Sequence, residues 1–140
     1  MEAQLIDIEA YIARRIGEPW AHDDLHCWEL VRQAQRDLFG RELPIVAAEL
    51  ALDRRAKIEA FETHPENARW RRVEKPEHGA IVKMARPGGA THRDVHAGVF
   101  LALRGGSVLH VDKPQGVACD TLFDLLTVRR WRALFFVPLI

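Results

Sequence analysis

The feature that most constrains this chain is a change of period near its middle. Before "THPEN" at 63–67, apolar residues recur at helical spacings; after it they alternate, or run in short blocks of strand length. Leu5, Ile8, Tyr11, Ile12 and Ile16 trace one face of a helix over 3–16, and "GEP" at 17–19 ends it. Leu30, Val31, Ala34 and Leu38 predict a second helix over about 24–39. Asp23 or Asp24 is its expected N-cap and Gly40 its left-handed stop. A third, more charged helix is expected over 46–61, with Leu50, Ile58 and Phe61 facing inward.

The second half reads as strands: "RWRRV" at 69–73, "AIVKMA" at 80–85, "VHAGVFLAL" at 95–103, "SVLHVD" at 107–112, "GVACDTL" at 116–122 and "WRALFFVPL" at 131–139. "RPGGATHRD" at 86–94 is a polar loop, "RGG" at 104–106 closes a hairpin, and a short helix is expected over 121–127. Helices first and strands second, without alternation, predict an α+β fold: an antiparallel sheet with the helices on one side. With 140 residues and no linker or repeat, the chain is expected to be one domain, 1–140.

Charge and hydropathy narrow the function. The 20 basic and 20 acidic side chains balance, so no charge block points to nucleic acid. "RWRR" at 69–72 and "RRWR" at 129–132 read as edge-strand segments, with Arg stems lying over apolar surface. The acidic N-terminus has no apolar signal region and no run reaches membrane-spanning length. Synthesis in the cytoplasm without a signal peptide, and no membrane insertion, are therefore expected. Two widely separated cysteines do not make a disulfide framework.

Cys27 falls in the first turn of the second helix. Unpaired N–H groups and a positive dipole end favour a thiolate there. A nucleophile needs a base, and the base an orienting partner. His96 and His110 lie on strands that a compact α+β fold can bring against the helix. Two other readings stand beside this one. Cys27 can be a small packing residue, with the histidines satisfied in the core. Alternatively His22, His26 and Cys27 can share a zinc ion, although no distant pair completes a four-ligand set.

The ordered motifs resemble those of the NlpC/P60 cysteine peptidases, particularly the phage-tail type. "IGEPW…HCWELVRQAQRDLFGRELP" is similar to that family's opening helix, "EKPEHGAIVKM" to its next strand, "HAGVFLALRGGSVLHVD" to its histidine strands and "RWRALFFVP" to its last strand. The likeness spans roughly residues 9 to 138. It implies a papain-like fold, with Cys27 as nucleophile, His96 as general base and His110 as the orienting residue. The implied reaction is hydrolysis of amide bonds in peptidoglycan peptides, without a cofactor or metal. Trp20, His22, His26, Trp28 and Glu29 would line the substrate, and phage tail proteins would be partners, with action at the cell envelope. The chain also departs from the pattern. His26 replaces the usual aspartate before the cysteine, Glu29 a glycine, Trp20 a tyrosine, and Ala80 the aspartate of "GD". The resemblance thus leaves a second expectation, a tail-assembly subunit that keeps the fold with little or no hydrolysis.

Overall fold

A computed structural model describes residues 2–21, 26–44, 68–85, 95–112 and 114–139. The expected helix over 46–61 and the loop 86–94 lie outside the described residues. Two helices come first, α1 (Glu2–Arg15) and α2 (Cys27–Phe39). Strands β1 (Trp70–Val73), β2 (Ile81–Ala85), β3 (Val95–Leu101), β4 (Ser107–Asp112) and β5 (Gly116–Thr121) follow. A short helix α3 (Leu122–Thr127) and strand β6 (Arg132–Pro138) complete the order. The fold is α+β, with one six-stranded antiparallel sheet in the order β1-β6-β2-β3-β4-β5.

Period-2 alternation gives this sheet two apolar faces. On one side Ala97, Val99 and Leu101 of β3 and Leu109 and Val111 of β4 join Leu30, Val31 and Ala34 of α2 and Ile8, Tyr11 and Ile12 of α1. On the other, Val82, Met84, Phe100, Val108, Trp131 and Phe135 gather around Leu125 of α3. Burying a side chain such as Leu30 or Leu125 stabilises the fold by about 1.5–3 kcal/mol. The helices therefore do not all lie on one side as the sequence led us to expect. Leu125, fully buried, draws α3 under the second face.

Three further expectations are corrected. β6 lies between β1 and β2, so "RRWR" leads into an interior strand, and Trp131 is buried; only "RWRR" enters an edge strand. Ile16 is half exposed, because α1 ends at Arg15 before its stripe is complete. The N-cap of α2 is His26 and not Asp23 or Asp24, both of which lie outside the described residues.

Polar ties at its far end fix α2 along the sheet. The buried Gln35 donates from Nε2 to the Gly79 carbonyl (2.9 Å) and accepts from Arg41 (2.8 Å), and Gly79 N–H bonds Phe100 O near the end of β3 (2.8 Å). Gly40 then turns the chain out of the helix at φ 65, a left-handed conformation that glycine takes without strain. At the other end of α2, Cys27 joins the same buried cluster as Ala97 of β3. Tyr11 Oη donating to Asp37 (2.9 Å) and Arg15 to Gln33 (2.7 Å) hold α1 against α2.

Candidate active site

The start of α2 is capped by a histidine. His26 is extended (φ −103, ψ 177), and its Nδ1 accepts from the Glu29 N–H at 3.4 Å, the service a serine or aspartate usually performs. An accepting Nδ1 puts the proton of this neutral ring on Nε2. Cys27 follows as the first helical residue, 3% exposed, at the positive end of the helix dipole. Neither cysteine is in a disulfide. Burial is the largest influence on the half-buried Cys119 and pushes its thiol up.

Across the sheet three polar side chains form a line. His96 Nε2 lies 2.9 Å from His110 Nδ1, and His110 Nε2 lies 2.7 Å from Asp120 Oδ2. Arg129 closes the line, donating to both Asp120 oxygens at 2.8 and 3.4 Å. Each step is a diagonal between neighbouring strands. His110 pairs with Ala118, so Asp120 stands one diagonal away. β3 and β4 pair through Val99 and Leu109, and one step back sets Gly98 beside His110, with His96 on the next diagonal. "RGG" does close this hairpin, with Gly106 N–H bonded to Leu103 O (2.8 Å).

Gly98 lets these two histidines meet. A Cβ there would stand 2.7 Å from Leu109 O, 2.8 Å from Val108 Cγ1 and 3.2 Å from His110 Cβ. The bare glycine lets the strands close up and leaves space through which the rings meet.

One short turn fixes both ends of the line. Thr121 caps α3 by accepting from Asp124 N–H (3.2 Å), and the chain leaves α3 with Arg130 at φ 63. Arg129, on one side of that residue, reaches Asp120. Trp131, on the other, stacks on His96 with centroids 5.0 Å apart and planes 21° from parallel. His96 and His110 are both buried, at 4% and 0% exposure. Hydrogen bonding from His110, with a further contribution from Arg129, outweighs burial and holds the Asp120 carboxyl down at about 2.

The structure thus brings His96 and His110 together and adds Asp120, Arg129, Trp131 and Gly98, which sequence reasoning missed. One signal for Asp120 was present: aspartate is depleted in strands, and here it sits inside one. Cys27 belongs to the helix-side cluster with Ala97. His96 pairs with Met84 and so leaves β3 on the opposite side.

The remaining candidates are held by their own chain. Trp28 Nε1 donates to Pro44 O (2.9 Å), and Trp20 packs half-buried on the helix-side cluster. Glu29 accepts from Arg32 at 3.0 and 2.9 Å and from Gln33 at 3.0 Å. Burial acts to raise its carboxyl, but those hydrogen bonds hold it below its ordinary value. His22 lies outside the described residues, and His26, its partner in the zinc reading, is occupied as a cap. A cavity of about 480 Å³ lies at the opposite end of α2, lined by Arg41, Leu43, Trp70 and Pro138, and none of the candidate residues borders it. No helix among the described residues is long and apolar enough to cross a membrane. Compared with known proteins, the chain matches no family model and no curated protein.

Proposed function

We propose that this chain is a cysteine peptidase of the NlpC/P60 kind, with a papain-like arrangement of helix and sheet, acting on amide bonds of bacterial cell-wall peptides. The observation that carries the reading is the buried contact between His96 and His110 at 2.9 Å. A base already oriented by a second ring is what a helix-start thiol requires. The ordered resemblance along the chain supplies the substrate class and the association with a phage tail.

In this mechanism the Cys27 thiol gives its proton to His96, and the thiolate sulfur attacks the scissile carbonyl carbon. The backbone N–H of Cys27 is a donor for the oxyanion. Collapse breaks the C–N bond, and the amine leaves with the proton held by His96. Water, deprotonated by His96, then cleaves the thioester, releasing the acid and restoring the thiol.

The test is release of soluble peptide from purified peptidoglycan. Wild type should release it and Cys27→Ala should not, while circular dichroism of the two remains the same. The second reading is a tail-assembly subunit with little or no hydrolysis. It is favoured by the ties of His26, Trp28 and Glu29 to their own chain, which leave those side chains less to offer a substrate. No release by wild type from several peptidoglycan chemotypes would decide for it.

A further inference from the structure

We infer that Asp120 is a positioning residue that fixes both imidazole tautomers and so makes Nδ1 of His96 the atom that receives the Cys27 proton. The inference rests on the peptidase reading for its use, but not for its geometry.

Asp120 is gripped by Arg129 through both oxygens, and an ionised carboxylate can only accept. The nitrogen facing it, His110 Nε2 at 2.7 Å, must therefore carry a hydrogen. A neutral His110 then has a bare Nδ1, which faces His96 Nε2 at 2.9 Å. Two bare nitrogens cannot form that contact, so His96 carries its hydrogen on Nε2. The proton-accepting lone pair of His96 is left on Nδ1. The stacked Trp131 ring limits rotation of His96, which would exchange the two nitrogens.

The arrangement goes one residue beyond a nucleophile, a base and an orienting partner. A histidine in the orienting place is ambiguous, because either of its nitrogens can carry the hydrogen. An asparagine or aspartate there would not have that ambiguity. Asp120 removes it, and Arg129 keeps the carboxylate in place. When His96 takes up the thiol proton, its Nε2–H already points along hydrogen bonds that run through His110 to the Arg129-paired Asp120 carboxylate, with no rearrangement of the rings.

The experiment reads ring nitrogens directly, by long-range proton–nitrogen correlation spectra of the full ¹⁵N-labelled chain near neutral pH. We expect both His96 and His110 with hydrogen on Nε2 and bare Nδ1. A bare Nε2 on His110 would overturn the inference. In Asp120→Leu we expect a mixture of tautomers at His110 and alkylation of Cys27 slowed by roughly tenfold or more, by analogy with the losses when a group hydrogen-bonded to a functional histidine is removed. Asp120→Asn keeps an acceptor oxygen and should recover most of the rate. If Asp120→Leu fails to fold, Asp120→Ala serves, and in it tautomers as uniform as in wild type together with wild-type alkylation would overturn the positioning role. A role in stability alone would lower the melting temperature of these variants and leave tautomers and alkylation rate unmoved. The spectra need no substrate. A chain with the expected tautomers that releases no peptide would overturn the peptidase reading and leave this inference standing.

Discussion

The two faces of the sheet are specified by different physics. On the helix side, α1 and α2 meet β3 and β4 mainly through apolar contact, with the buried Gln35 paired at the margin. On the other side a smaller apolar cluster surrounds a diagonal of hydrogen-bonded groups, His96, His110 and Asp120. Apolar burial is non-directional, so the first face needs the right volume in the right layer. A buried polar line is directional, and one missing partner leaves the others unsatisfied. The first face should thus respond to mutation in stability, and the second in the chemistry of the thiol.

The largest effect on stability is expected at Leu30, fully buried on the sheet-facing side of α2. Leu30→Ala should cost about 2–5 kcal/mol in urea unfolding, since it removes apolar contact and leaves a cavity. Because α2 carries Cys27, a loss well under 1 kcal/mol would mean that the helix is not seated on the sheet in this way.

Next comes Gly98, where the two faces share a strand. The three close approaches of an added Cβ predict that Gly98→Ala forces β3 and β4 apart, at a cost of about 1–3 kcal/mol. It should also separate the histidines, so that their ring signals move together with the loss of stability. A destabilised variant with unchanged histidine signals would assign Gly98 to packing alone.

Acid sharpens the contrast at smaller scale. The Asp120 carboxyl is lowered from 3.8 to about 2, by hydrogen bonding from His110 before that from Arg129. A depressed carboxylate contributes stability above its unfolded value, and that contribution disappears as pH falls through its folded value. Relative to Asp120→Asn, wild type should therefore lose about 1–2 kcal/mol between pH 5 and pH 2, with solvent screening setting the lower figure. Melting curves of the two across that range check this; a constant difference would mean that Asp120 is not the titrating member.

Much of this layout was legible in the sequence. The strands around "AIVKMA", "VHAGVFLAL" and "SVLHVD" fall where alternation put them, because strand period is a local property. Gly40 ends α2 for the local reason given in advance. What was not legible depends on pairing between distant segments. Nothing within "WRALFFVPL" says that it inserts between β1 and β2, and nothing within "GVACDTL" says that Asp120 will stand diagonal to His110. His96 and His110 could be chosen as a pair, but the route that joins them, across Gly98, depends on a missing side chain. At Cys27 the helix start was placed almost correctly, yet its cap was not. Histidine is an uncommon N-cap, and the aspartates before it looked the better acceptors.

The most direct test of the central claim, that the histidine line serves Cys27, is the rate at which each cysteine reacts with iodoacetamide near neutral pH. It requires three proteins: wild type, Cys119→Ser and His96→Ala. We expect Cys27 to react well ahead of Cys119, whose thiol burial pushes up, and to slow sharply in His96→Ala while Cys119 keeps its rate. Equal, slow labelling of both cysteines, unchanged by the loss of His96, would contradict the claim and return Cys27 to the apolar cluster in which it sits.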